Sequence, residues 1–248
     1  MKTNCLICSK DSLLIKSLEK SSIYKCGSCQ FEFAHPMPTK EELQELYTGY
    51  RYYSQYNEEM VDTMTMKNAD KNIKYLKKYG LTKESRLLDF GCGKDLFVKQ
   101  GCSKNWIGYD YPIGKMPDGK FDFISLWGVL EHLSDPVGII KTLNSKLNKN
   151  GKIVMTTVGT ETGIPYRYRF PVHLVWWSKK SVEKLFSQTQ FKTKEISNYY
   201  VFQNPDFYLD RVLDRGRVPD ELKKIIHTDA KDYIIVPTNE IFIVGEKK

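Results

Sequence analysis

The sequence lacks any hydrophobic run long enough to span a bilayer. It also lacks a leader-like N-terminus: Ser12-Leu13-Leu14-Ile15 is too short for one and meets Lys16 at once. Histidine is scarce, with 4 in 248 residues, so each one can be weighed separately. Acidic residues are in the minority, 30 against 38 Lys and Arg, which leaves a formal net charge of +8. That balance fits a solvated basic surface or a preference for anionic ligands such as phosphates. Without a span or a leader, the expectation is a cytoplasmic protein. In that compartment the 6 cysteines stay reduced, and their spacing reads as metal or core rather than disulfide.

Four of those cysteines form two knuckles, Cys5-Leu6-Ile7-Cys8 and Cys26-Gly27-Ser28-Cys29. Cysteines two residues apart turn both sulfurs toward one ion, and two such turns supply the four thiolates of a closed tetrahedral Zn²⁺ site. Tyr24, Phe31 and Phe33 alternate around the second knuckle as strand residues do. The expectation is a structural zinc ribbon over residues 1–36 with no chemistry of its own. Cys92 sits between two glycines, and Cys102 stands alone as a core or surface residue.

A helical connector is expected over 37–80. Thr39 and Glu42 make a capping box for its first helix. Tyr47, Tyr50, Tyr52, Tyr53 and Tyr56 either pack the ribbon against the main domain or form a flap over a ligand. Ile73, Leu76 and Tyr79 predict a helix over 66–79 that Gly80 stops.

From residue 81 strand and helix alternate. Predicted strands cover 86–90, 106–109, 121–127, 152–158, 191–199 and 240–244. Helices start at Leu96, after Ser134-Asp135-Pro136, and at Ser178. The alternation predicts an α/β, Rossmann-like, mostly parallel sheet with helices on both faces, over 81–248, carrying an insertion at about 200–238. Ligands bind such sheets outside the carboxyl ends of the strands. The loop Gly91-Cys92-Gly93-Lys94-Asp95 follows the first of these strands, and glycines there let a ligand touch backbone. Asp110 ends the second strand, where a carboxylate can take both hydroxyls of a ribose.

The segments Asp89-Phe90-Gly91-Cys92-Gly93, Asp110, Phe121 through Glu131-His132, Leu147 through Gly151, and His173 through Ser178 resemble, in order, the successive motifs of class I S-adenosylmethionine-dependent methyltransferases. With the four-cysteine ribbon in front, the chain resembles a bacterial subgroup of that family acting on sugars and other small metabolites. The resemblance implies S-adenosylmethionine as cofactor. Gly91 and Gly93 would line its methionine part, Asp89 would order the loop and face its amino group, and Asp110 would hold the ribose. Two departures stand out. Asp95 replaces a third glycine, and only residues 111–120 separate Asp110 from Phe121, too few for a crossover helix and a strand. One edge strand should therefore be missing.

Methyl transfer to a hydroxyl needs a proton acceptor near the reacting atom. His132, just past the strand ending at Trp127, and His173 are the candidate bases. Glu131 reads as a loop anchor, His35 as structural and His227 as surface. Tyr166-Arg167-Tyr168-Arg169 interleaves rings with guanidiniums, which suits a phosphorylated sugar. The expected reaction moves a methyl group to a small anionic acceptor such as a nucleotide-linked sugar or a surface-polysaccharide precursor. Nucleic acid is not expected among the partners. The alternative is a catalytically degenerate module that uses the ribbon to bind a protein or RNA.

Overall fold

The two cysteine knuckles fall at strand ends. β1 (Lys2–Asn4), β2 (Asp11–Ser17), β3 (Ser22–Cys26) and β4 (Glu32–His35) pair antiparallel in chain order. The structure is a computed structural model and describes residues 2–49, 57–111, 114–164, 168–205, 207, 208 and 233–248. A fifth strand, β9 (Val175–Trp176), comes from far down the chain and pairs with β4 through Glu32–Trp176 and Phe33–Val175. The reason is burial. Phe31, Phe33, Trp176 and Trp177 are all fully enclosed, and the rings of Phe31 and Trp177 lie 4.6 Å apart. Polar contacts finish the seam: Ser178 Oγ donates to Cys29 O at 3.1 Å and Tyr168 Oη to Glu32 Oε2 at 2.8 Å.

The second sheet runs in the order β10, β11, β8, β7, β5, β6. Its members are β5 (Leu87–Phe90), β6 (Trp106–Tyr109), β7 (Phe121–Trp127), β8 (Leu147–Val158), β10 (Phe191–Gln203) and β11 (Ile234–Lys247). β5 through β8 are parallel, and β11 opposes both neighbours. Every residue of β5 is buried, as expected of a parallel strand covered on both faces. β6 forms one edge of the sheet. Among the described residues no strand pairs with its outer side, as the short 111–120 segment predicts.

The helices are α1 (Lys40–Gly49), α2 (Glu58–Leu76), α3 (Leu96–Gly101), α4 (Pro136–Lys146) and α5 (Lys179–Gln188). Thr39 and Glu42 form the expected capping box. Asp135 caps α4 with Pro136 in its first turn, and Ser178 caps α5. α2 begins eight residues before the expected start, with Asn57 accepting from Met60 N–H. β8 begins at Leu147, five residues before the expected start, and Leu147 pairs with Phe121. Residues 200–203 and 234–238, expected within an insertion, extend the β10–β11 hairpin. Within the expected insertion, residues 206 and 209–232 lie outside the described residues, as do Tyr50, Tyr52, Tyr53, Tyr56, Tyr166, Arg167 and His227. Among the described residues no helix is long and apolar enough to cross a membrane.

One face of α2 is latched to β10. Asn68 exchanges two hydrogen bonds with the Phe202 backbone, Asn72 bonds Tyr199 Oη at 2.8 Å, and Tyr75, Lys78 and Tyr79 converge on Glu195. Positions 68, 72, 75 and 79 are spaced three and four apart, so they share one stripe of the helix. Burial would raise the Glu195 carboxyl, but hydrogen bonds from Tyr79, Ser197 and Tyr75 and the Lys78 ion pair outweigh it and hold the pKa at about 2. A depressed carboxyl stabilises the fold above its ordinary value and loses that contribution as pH falls toward the folded value. Glu195 should therefore cost the protein stability between about pH 4.5 and about pH 2. Glu195→Gln is expected to lower the melting temperature at neutral pH by a few degrees and to flatten its fall across that acid window.

Candidate cofactor and acceptor site

Where β5 ends the chain turns sharply. Gly91 N–H donates to Tyr109 O at 2.7 Å, which fixes the loop across the end of β6. Gly91 has φ +78°, and a Cβ there would lie 2.6 Å from Val129 Cγ2. Its need for glycine is thus set by the neighbouring loop, not by a ligand as the sequence suggested. At Gly93, φ +51°, an added Cβ would meet nothing within 4 Å, since this backbone faces open space.

That space is a cavity of about 820 Å³. The glycine loop and Asp89 form one wall, α2 forms the other through Asp62, Thr65, Asn68 and Asn72, and Trp127 and Tyr199 also line it. The volume lies within the roughly 300–1,000 Å³ of ordinary ligand sites. Asp89 is 3% exposed, and its Oδ1 accepts from Ser125 Oγ at 2.7 Å. Burial pushes its carboxyl up to about 7. Asp110 is exposed at the end of β6, and its Oδ1 accepts from Gly93 N–H at 3.3 Å. Cys92 is pushed up to about 11, first by burial and then by the charges of Asp89, Asp95 and Asp110. Glu58, Asp62 and Asp89 line the cavity together with Lys94, and an acidic lining of this kind suits a ligand carrying a sulfonium and an ammonium group. Trp127 adds a buried Nε1–H that has no hydrogen-bond partner. Lys94 closes the frame by pairing with Glu58 and, at 2.9 Å, Asp62 on α2.

Asp95, the replaced glycine, turns away from the cavity. A Cβ on Gly108 would lie 2.0 Å from Asp95 Oδ1, so the side chain lies under the loop against β6. Its φ is +64°, and that oxygen is buried without a partner. On the side where the edge strand is missing, Tyr111 stacks on Phe90 with centroids 5.0 Å apart.

The second group forms beyond β7. A short 3₁₀ turn, Leu130–His132, presents Glu131 and His132, and the chain before β9 presents His173. The two imidazoles lie 5.0 Å apart, edge to face. His132 Nδ1 is 2.7 Å from Val172 O, and Glu131 Oε2 accepts from Thr157 Oγ1 at 2.8 Å. Leu174 N–H donates to Glu131 O at 2.8 Å and joins the two loops. Burial lowers His132, and burial with the charges of His132 and Arg169 brings His173 down to about 3, so both rings are neutral at physiological pH. Burial raises Glu131 to about 7.

Asp89, Gly91, Gly93 and Asp110 are thus gathered at one loop, and His132 with His173 at another. Cys5, Cys8, Cys26 and Cys29 converge in the first sheet. Sulfur separations there are 3.6 Å for Cys5–Cys29, 3.4 Å for Cys8–Cys26 and 3.6 Å for Cys8–Cys29. Four sulfurs about 2.3 Å from one ion at tetrahedral angles stand roughly 3.8 Å apart, so the donor set fits. His35 is exposed and contacts only the Tyr24 ring among these features. The sequence reading missed Ser125, Trp127, Thr157, Tyr199 and the α2 wall. The spacing of Asn68, Asn72 and Tyr75 was the available signal for that wall.

Residues 60–196 match a family model described as a methyltransferase domain. The chain belongs to that methyltransferase family, and it is an S-adenosylmethionine-dependent methyltransferase with a Rossmann-like fold. Its fold is similar to the magnesium protoporphyrin IX methyltransferase of Synechocystis PCC 6803 with bound S-adenosylmethionine, at TM-score 0.51 and 11% identity over 86% of this chain and 99% of that one. It is also similar to an S-adenosylmethionine-dependent methyltransferase of Thermotoga maritima, at TM-score 0.50 and 15% identity over 83% and 98%. Among curated proteins it resembles the tRNA U34 carboxymethyltransferase of Aliarcobacter butzleri (strain RM4018), 30% identical over 117 residues, or 35% of this chain and 38% of that protein. The chain spans well under half the length of the curated relatives it matches. Three relatives named for tRNA overturn the expectation that nucleic acid is not a partner. That expectation followed the resemblance to a subgroup acting on sugars and other small metabolites, and gave too little weight to the net charge of +8.

Asp110→Ala is expected to weaken S-adenosylhomocysteine binding about tenfold or more, the effect of a charge-assisted bond worth roughly 1.5–3 kcal/mol. Calorimetric titration reads this directly, and unchanged affinity would remove Asp110 from the site.

Proposed function

We propose that the protein methylates a phosphate-bearing acceptor, an RNA nucleoside first among candidates, in the space between the glycine-loop cavity and the His132–His173 pair. The observation that carries this reading is the acid-lined cavity at the same carboxyl edge of the sheet as the His132–His173 pair. The cofactor supplies an electrophilic methyl group on a sulfonium. Asp89 and Asp110 hold its two ends, Gly93 lets backbone reach it, and Trp127 Nε1–H offers a donor to a carboxylate. His132 and His173 meet the acceptor as lone-pair donors rather than cations, which suits removal or polarisation of an acceptor proton. Relatives named for tRNA favour RNA over a nucleotide-linked sugar, and the net charge of +8 suits the phosphates of either. We assign the reaction to the cytoplasm, where thiols stay reduced. Among the described residues no strand pairs with β6 on its outer side, which favours a second reading, a degenerate module that binds without transferring a methyl group.

Labelled S-adenosylmethionine, offered with bulk tRNA and with nucleotide sugars, tests both readings. Transfer to tRNA is expected, and His132→Asn should cut turnover roughly a hundredfold or more while leaving cofactor affinity intact. Transfer to sugars alone would reassign the acceptor. Retained cofactor binding with no transfer to either class would favour the module.

The four cysteines are proposed to hold one structural Zn²⁺. A hydrogen bond from the Cys29 thiol lowers Cys5 to about 5 and raises Cys29 in turn, as expected of sulfurs too close to ionise together without a cation. Cys26→Ser should release one equivalent of zinc and lower the melting temperature by several degrees. Unchanged zinc content by elemental analysis would sink the assignment.

A further inference from the structure

Glu131, His132 and His173 have a second property beyond their proximity to the reaction. One ligand atom from each lies within 4.8 Å of the others. Each donor is also held from behind. Val172 O can only accept, so His132 Nδ1 carries the proton and Nε2 keeps a lone pair. Thr157 Oγ1 donates to Glu131 Oε2 and fixes that carboxylate. Leu174 N–H clamps the Glu131 carbonyl and sets the two loops at one spacing. Metal-ligating imidazoles and carboxylates are oriented by outer contacts of this kind. His173 gives an independent sign, because its Nδ1 is buried with no hydrogen-bond partner. A buried polar atom without a partner is costly, and a cation bound at that nitrogen would relieve the cost.

We propose that Glu131, His132 and His173 form a metal site separate from the four cysteines, taking one divalent transition-metal cation on two imidazoles and a carboxylate. Imidazole with carboxylate suits Zn²⁺, Fe²⁺ and Ni²⁺, and the two-histidine, one-carboxylate set leaves coordination positions open. Among the described residues Glu240 favours charge on His132, and Arg169 opposes it on His173. With Glu131 ionised, Glu131, Glu240 and Arg169 sum to one negative charge. A divalent ion turns that to one positive charge, which an anionic acceptor oxygen would neutralise. On the methyl-transfer reading, on which this consequence alone rests, the ion would hold the acceptor oxygen and lower its pKa. The two neutral histidines would then serve as ligands, and no separate base would be needed.

The test uses the full chain with its cysteines loaded with zinc and free metal removed. Co²⁺ is then titrated and followed by visible absorption. One equivalent is expected, with weak ligand-field bands and none of the intense thiolate charge transfer that cobalt at four cysteines would give. His173→Ala and Glu131→Gln should each weaken Co²⁺ binding by tenfold or more at unchanged zinc content. Thr157→Val, which removes only the outer contact, should weaken it about tenfold. No uptake beyond the zinc already present, or uptake unchanged by His173→Ala, would overturn the site and leave the three residues as a proton-transfer group. S-adenosylhomocysteine titrated into the same samples separates the two ideas. Cofactor binding without cobalt uptake removes the metal site alone. Cobalt uptake without cofactor binding removes the methyl-transfer reading alone.

Discussion

The peptide of Leu174 joins three parts of the molecule. Its N–H donates to Glu131 O and its carbonyl accepts from Ala34 N–H at 2.9 Å, and the residue is fully buried. A buried backbone group left unpaired costs about 1–3 kcal/mol, so neither bond can be given up cheaply. Through them β4 of the cysteine sheet, the turn after β7 and the chain carrying His173 hold one spacing. β9 begins at the next residue and finishes the first sheet. The cysteine-bearing segment is therefore structurally continuous with the Glu131–His132–His173 group.

The opposite side of the cavity depends on α2. Asn68, Asn72 and the group around Glu195 hold it to β10, while Lys94 pins its first turns to the glycine loop. At the β6 edge, where no further strand pairs among the described residues, Tyr111 packs its ring on Phe90 and supplies apolar surface.

Much of this was legible in advance. Short buried runs such as Leu87-Leu88-Asp89-Phe90 and Phe121 through Trp127 declare strands because a covered parallel strand tolerates little else. Asp135 before Pro136, and Ser178 before α5, declare helix starts because their side chains satisfy free N–H groups. The missing strand followed from length alone. What stayed hidden depends on partners distant in sequence. Two residues are too few to announce β9, and nothing near Val175 points to Glu32. The 41-residue gap between His132 and His173 conceals that their rings touch. Asp95 looked like an obstruction to the ligand, yet a left-handed backbone turns it beneath the loop. α2 was read too short because its first turns alternate acidic and apolar residues without a clean stripe, and those turns form the cavity wall.

The late pairing of β4 with β9 also has a meaning in time. A ribosome delivers the cysteine knuckles first, but the strand that covers Phe31 and Phe33 emerges only after β5 through β8 have been made. At ordinary elongation speeds that interval is on the order of ten seconds. Through it the nascent sheet carries an open edge and uncovered aromatic rings. Metal capture at the knuckles could hold this half-built sheet in register until Trp176 and Trp177 arrive. An ion bound there as proposed would serve synthesis as much as the finished enzyme.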